Sequence, residues 1–156
     1  MPKRLRVYLD TSIFSFAISS QDVKEEKEIT LQFLEKVKNG IFAAHVSGVV
    51  FEEIRKAPQK KQDDLLKLMG QFEIEPLLRT DEADVLADRY IAEKVIPLKH
   101  RDDALHIAIA TVHNLDVIVS WNFEHIVKLK TRREVRGINT LMGYRSIEIC
   151  SPQEMI

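Results

Sequence analysis

Val7-Tyr8-Leu9-Asp10-Thr11-Ser12 is the stretch on which the fold turns. It reads as a short first strand that ends abruptly in a carboxylate and two hydroxyls. Val7 and Leu9 can anchor that strand in a core, and the residues from Ile13 to Ile18 are apolar again. The acid therefore stands between two hydrophobic runs rather than on a loose surface loop. In an open α/β sheet, ligands bind beyond the carboxyl ends of the strands. An aspartate at that point of a first strand is placed to meet acids carried by later elements. The competing reading makes Asp10 the cap of a following helix, a position that Asp, Thr and Ser all favour.

Outward from this stretch, strand one spans roughly Arg4 to Leu9, and a short apolar helix or turn runs on through Ile18. Ser19-Ser20-Gln21-Asp22 is a polar break. From Val23 to Lys38, Ile29, Phe33, Leu34 and Val37 share one helical face, and Asn39-Gly40 ends that helix. Ile41 to Val46 suits a second strand. Ser47 then caps a helix through Ile54 that stops near Pro58. Leu65, Leu66, Leu68, Met69 and Phe72 mark another amphipathic helix, and Phe72 to Pro76 a short third strand. Thr80 opens a helix with Asp81, Glu82 and Asp84 in its first turns, where negative charge suits the dipole. It runs to about Lys94 and must be over by Ile96, before Pro97.

Asp102 or Asp103 opens a nearly all-apolar helix from Ala104 to Val112. Asn114-Leu115-Asp116 turns into the buried strand Val117-Ile118-Val119, with Ser120-Trp121-Asn122 at its carboxyl end. A basic segment follows, then a last strand near Ile147 to Cys150. No repeat, linker or low-complexity segment interrupts the chain. Strands separated by helices imply a parallel sheet covered on both faces. We expect one α/β domain over residues 1–156.

The composition fits a soluble globular protein: 45% of residues are hydrophobic and 30% charged, outside the disordered range. The formal net charge is −1, so a nucleic-acid partner would have to be held by a local patch. The single cysteine, Cys150, has no partner for an internal disulfide, which fits a reducing cytoplasm. Met1 to Arg6 is basic, but Asp10 interrupts the apolar region behind it, so it makes a poor signal peptide. No run approaches the length of a membrane span. The expected location is cytoplasmic, with no membrane partner.

Four positions stand out: Asp10 after strand one, Glu53 in an apolar helix, Asp103 at the start of a buried helix, and Asn122 after a later strand. Acids in apolar surroundings are costly unless paired, hydrogen-bonded or bound to a cation. Three carboxylates gathered without Lys or Arg between them repel one another, and a divalent cation resolves that repulsion. Mg²⁺ takes a few carboxylates and keeps several waters. Each position also has a plainer reading. One of Glu52 and Glu53 is solvated, one of Asp102 and Asp103 is a cap, and Asn122 bonds a turn. His106, on the helical face of Asp103, reads first as a structural histidine.

Asp10-Thr11-Ser12, the segment from Ser47 to Glu53-Ile54, the block Asp103-Ala104-Leu105-His106-Ile107-Ala108-Ile109-Ala110, and Ser120-Trp121-Asn122 together resemble the PIN domain. They stand in the same order and at similar spacing, and the closest group is the VapC-like toxin ribonucleases of bacteria and archaea. The resemblance covers nearly the whole chain, and the block from Asp103 is its most specific part. It implies a metal-dependent ribonuclease, using Mg²⁺ or Mn²⁺, on a three-layer α/β/α sandwich with a central parallel sheet. Asp10, Glu53 and Asp103 match the family's metal-binding and catalytic acids. Ser12 and Ser120 match hydroxyls that orient the first acid. Asn122 replaces a variable fourth acid, which leaves fewer charges for a second metal. Glu53 is preferred to Glu52 because the motif sets its acid just before an aliphatic residue, here Ile54. The resemblance also implies an RNA substrate, a cognate antitoxin and a homodimer.

Other classes with an acid after strand one fit less well. A dehalogenase-type phosphatase carries a second Asp two residues on, where this chain has Ser12. A response-regulator receiver wants an acidic pair before its Asp, which the early chain lacks. A Rossmann domain needs a Gly-rich turn after strand one, and none of the five glycines lies there. A PIN-like interaction module without catalysis remains the competitor, kept alive by Asn122. Finally, Lys128, Lys130, Arg132, Arg133 and Arg136 lie within nine residues. They form either an RNA-holding patch or a solvated face, and Lys99, His100 and Arg101 could extend it.

Overall fold

In the computed structural model, which describes residues 3–20 and 22–156, the first strand is Leu5–Leu9 (β1). Met1, Pro2 and Gln21, parts of the basic start and of the polar break, lie outside the described residues. Four further strands join β1 in one parallel sheet: Phe42–Ser47 (β2), Ile74–Leu77 (β3), Val117–Val119 (β4) and Glu148–Cys150 (β5). The sheet order is β3-β2-β1-β4-β5, so the first strand is the central one. Tyr8 lies level with His45 on β2 and Ile118 on β4. The third strand begins later than the pattern suggested: Phe72 still belongs to the turn after the preceding helix, its N–H bonded to the Met69 carbonyl.

The helices are Thr11–Ala17 (α1), Lys24–Lys38 (α2), Gly48–Arg55 (α3), Gln59–Met69 (α4), Asp81–Ala92 (α5), Arg101–Val112 (α6) and Leu129–Leu141 (α7). Parallel strands need crossovers, and these are almost always right-handed. The chain steps from β1 to β3 in one direction and from β3 to β5 in the other, so the two sets of helices cover opposite faces. In agreement, α1 packs on α2 and α4, while α5 packs on α6 and α7. The result is a three-layer α/β/α sandwich.

Local chemistry explains most boundaries. Gly40, at φ +77°, turns the chain after α2. Ser47 caps α3 by accepting the Val49 N–H, and Thr80 caps α5 by accepting the Ala83 N–H. Helix α5 stops at Ala92, two residues short of expectation, because Lys94 adopts φ +60°. Helix α6 has no polar side over Ala104 to Ala110, and all seven residues are buried between sheet and α5. A helix hydrophobic all round belongs in an interior. The basic segment, left without an element by its charge, is α7: Thr131, Val135 and Ile138 face inward at helical spacing.

Candidate active site

Asp10 ends β1 with an extended backbone and stands at the N-cap of α1, yet its side chain makes no cap hydrogen bond. Its carboxylate accepts two hydroxyls instead. Ser12 Oγ donates to Oδ1 at 2.5 Å and Ser120 Oγ to Oδ2 at 2.6 Å. Each serine oxygen also accepts a backbone N–H: Trp121 at Ser12 and Asn122 at Ser120. Tight turns after β1 and β4, adjacent strands, thus lock one another through Asp10. Trp121 fastens the same loop to the first layer, stacking on Phe16 and donating its Nε1–H to Thr30.

Glu53 projects from α3 and is half-buried, whereas Glu52 is exposed. Glu53 Oε1 accepts the Thr11 hydroxyl at 2.7 Å and lies 2.6 Å from His106 Nε2. The other ring nitrogen of His106 meets the Tyr8 hydroxyl at 2.6 Å, which in turn meets Ser47 Oγ at 2.7 Å. A buried polar chain therefore runs Ser47–Tyr8–His106–Glu53–Thr11 beneath the carboxylates. His106 is a satisfied structural histidine, as its position first suggested, and it also holds an acid in place.

Asp103 lies in the first turn of α6, and the N-cap there is His100 rather than either aspartate. Asp102 turns towards Lys56, 3.8 Å away. Asn122 bonds its turn, its Oδ1 accepting the His125 N–H at 2.9 Å, and its side chain favours the charged form of Asp103.

The electrostatics are those of crowded acids. Burial pushes the Asp10 carboxyl up; His106 and the two serine hydroxyls oppose this, and the charge of Glu53 adds to it. Burial likewise raises Asp103, with His106 opposing and Glu53 adding to the rise. Burial would raise Glu53 too, but the bond and charge of His106, with the Thr11 hydroxyl, outweigh it and hold it low. His106 is the mirror case. Burial pulls it down, while Glu53, Asp10 and Asp103 together lift it above its ordinary value. One imidazole thus serves three carboxylates. Among the described residues, no Lys or Arg forms an ion pair with Asp10, Glu53 or Asp103.

These three acids suit a hard divalent cation by their chemistry: all donors are oxygen, and one imidazole is set against three carboxylates. They do not form the tightest potential ligand group. Among the described residues, that group is His100, Asp103 and His125, with one ligand atom of each within 4.8 Å of the others. The more open carboxylate ring suits Mg²⁺, which keeps several of its waters. Sequence reasoning missed His125 and gave His100 only a place in a basic patch. The spacing of His100 three residues before Asp103, one helical turn, was the available signal.

The basic residues are unequally free. Lys130 pairs with Glu134 at 2.8 Å and donates to the Lys94 carbonyl. Arg101 pairs with Asp88 at 2.8 Å. Arg133 is exposed and Arg132 half-buried, both in the first turns of α7. Thr131 ties that turn to the loop after β4 by donating to the His125 carbonyl.

A doubly covered parallel sheet, with a carboxylate cluster where its central strand meets crossovers on either side, defines an α/β/α protein with an acidic site at the strand ends. The chain belongs to the PIN domain family, whose model matches residues 7–126. Two solved structures share the fold. VapBC2 from Rickettsia felis, bound to a DNA fragment from its promoter, aligns with a TM-score of 0.60 and 13% identity, over 94% of this chain and 98% of that one. VapBC-5 from Mycobacterium tuberculosis, a member of the VapBC family of toxin-antitoxin systems, aligns with a TM-score of 0.52 and 20% identity, over the same shares. No curated protein matches the chain. Among the described residues, no helix is long and apolar enough to cross a membrane.

Proposed function

We propose that the protein is a Mg²⁺- or Mn²⁺-dependent endoribonuclease and the toxin of a toxin–antitoxin pair. What carries this reading is that Glu53 bonds the buried His106 imidazole while the charges of Asp10 and Asp103 also act on it, with no Lys or Arg paired to any of the three acids. Membership of the PIN family and the VapBC neighbours support it.

In this reading the three carboxylates hold the ion. A divalent cation held there would supply water activation and offset negative charge on the phosphate. Ser12 and Ser120 favour the ionised form of Asp10 and fix its direction by donating to both its oxygens. Thr11 and His106 grip Glu53 through Oε1 alone, which leaves Oε2 for the ion. Asn122 fixes Asp103 without adding charge. Arg132 and Arg133, with Lys130, hold the RNA backbone, since phosphate contacts supply affinity without reading sequence. A cognate antitoxin blocks the acidic groove, and the protein works as a homodimer in the cytoplasm.

The test is cleavage of RNA with and without Mg²⁺ by wild type and Asp10→Asn, both purified free of host nucleases. Asp10→Asn should be inactive and folded; undiminished cleavage by it would rule the mechanism out. Growth arrest on expression, relieved by Asp10→Asn, tests the toxin assignment. The neutral side chain of Asn122 favours a second reading, a PIN-like binding module without catalysis. Failure to bind Mg²⁺ or Mn²⁺ would select it.

A further inference from the structure

We propose that His100, Asp103 and His125 form a second cation site, selective for a first-row transition metal such as Zn²⁺, which shares the Asp103 carboxylate with the acidic ring. Three separate elements build it. His100 closes the 3-10 turn Leu98–His100, Asp103 lies in the first turn of α6, and His125 comes from the loop after β4. One ligand atom of each lies within 4.8 Å of the others. The two imidazoles lie side by side, ring centroids 4.0 Å apart and tilted by 32°.

His125 gives the independent sign of a ligand. It is 9% exposed, and its Nε2 is buried with no hydrogen-bond partner. The Glu124 carboxylate stands 3.6 Å from that nitrogen, beyond hydrogen-bond reach, and is largely solvated. A buried ring nitrogen left without a hydrogen bond is costly, and coordination would satisfy it. Asn122 braces the set from behind, since its side chain takes the His125 backbone N–H and favours the charged form of Asp103. Such outer contacts fix the direction of metal ligands.

The donor set chooses the metal. Imidazole suits Zn²⁺ and its neighbours, while Mg²⁺ and Ca²⁺ take oxygen. Two imidazoles and one carboxylate leave a coordination position open for water or a phosphate oxygen, as in catalytic rather than structural zinc sites. Ligand atoms on a tetrahedral Zn²⁺ stand roughly 3.3 Å apart, so the trio needs to close by rotamer adjustments on the order of 1 Å. The site touches the proposed nuclease centre only through Asp103, and its test uses no RNA.

The experiment is calorimetric titration of untagged, metal-free protein with Zn²⁺ alone, supported by the absorption spectrum of the Co²⁺ form. Wild type, His100→Gln, His125→Gln and Asp10→Asn are compared, each checked for folding by its urea midpoint. Wild type should bind Zn²⁺, and each histidine variant should lose on the order of 10-fold or more in affinity. Asp10→Asn should bind within about threefold of wild type, because Asp10 is not in the trio. His100 is the decisive position, being half-exposed and free to change without disturbing the core. Unchanged affinity in His100→Gln overturns the proposal, whatever His125→Gln does. Loss of Zn²⁺ in Asp10→Asn alone overturns it too, by placing the ion in the acidic ring. A wild type that binds no Zn²⁺ overturns it while leaving Mg²⁺-dependent cleavage to be judged separately. Zn²⁺ binding without any RNA cleavage would do the reverse, refuting the nuclease and keeping this site.

Discussion

Asp10→Asn should cost the metal-free protein little and cost it nearly all of its response to metal. The wild-type carboxylate is 4% exposed and receives a hydroxyl at each oxygen. The asparagine keeps the shape and one acceptor but turns an amide towards one serine. A hydrogen bond to a charged group contributes about 1.5–3 kcal/mol. Against that loss stands relief from a buried charge facing Glu53, which pushes the Asp10 carboxyl up. The two effects oppose each other at similar size, so the net change should stay below about 1.5 kcal/mol. With free Mg²⁺ at 100 times its dissociation constant, wild type should gain about 2.7 kcal/mol. If loss of a charged ligand weakens the ion on the order of 10- to 100-fold, the variant gains only about 0.4–1.4 kcal/mol. Urea unfolding with EDTA and with Mg²⁺ reads both numbers, using the fluorescence of Trp121, the single tryptophan, 7% exposed. A loss above about 3 kcal/mol in EDTA would make Asp10 a structural linchpin of the serine turns. Equal gains from Mg²⁺ in the two proteins would remove Asp10 from the ion.

Ser120→Ala removes a donor from Asp10 and the acceptor of the Asn122 N–H, so it should destabilise by about 1.5–3 kcal/mol, measured by the same unfolding curves. Stability should also depend on pH through His106, whose folded pKa lies above its ordinary 6.5. The stabilisation it brings is complete below 6.5 and disappears as pH rises through the folded value. Urea curves from pH 6 to 9 in EDTA should show that decline in wild type and a weaker one in Glu53→Gln; parallel slopes would discount the pair. Tyr8→Phe strands His106 Nδ1 in the core and should cost about 1–3 kcal/mol, with an unchanged melting temperature as the contrary result. Arg132→Ala with Arg133→Ala should flatten the salt dependence of RNA binding by roughly one unit of slope per lost phosphate contact; binding like wild type across salt would make α7 an ordinary surface.

What was legible in the sequence was local. A strand ending in Asp10, the caps at Ser47 and Thr80, and the run from Ala104 to Ala110, apolar but for His106, each announce themselves within a few residues. Glu53 was separable from Glu52, and Asp103 from Asp102, only by a resemblance; the structure adds the reason, since the outer member of each pair is exposed or turned to Lys56. Contacts between distant elements stayed hidden. Tyr8 reads as a β-strand aromatic, and nothing near it in sequence points to His106, 98 positions away. His125 has no motif around it; it meets His100 only because the loop after β4 runs past the start of α6. The helix at 129–141 was obscured because its inward residues include Thr131 and Asn139, which carry no hydrophobic signal.

The central place of β1 also bears on when the site comes into being. Its two neighbours in the sheet are β2 and β4, one made early by the ribosome and the other late. Until β4 has emerged, β1 is an edge strand, Asp10 lacks the hydroxyl that reaches it across 110 positions, and Trp121 has not yet docked on Phe16. Long-range pairings of this kind come late in folding because loop closure must precede them. A growing chain can therefore carry Asp10 and Glu53 for most of its synthesis without a complete carboxylate cluster. Under the proposed reading, in which the substrate is RNA, that order of assembly would keep the ribosome and its message beyond reach of the unfinished product.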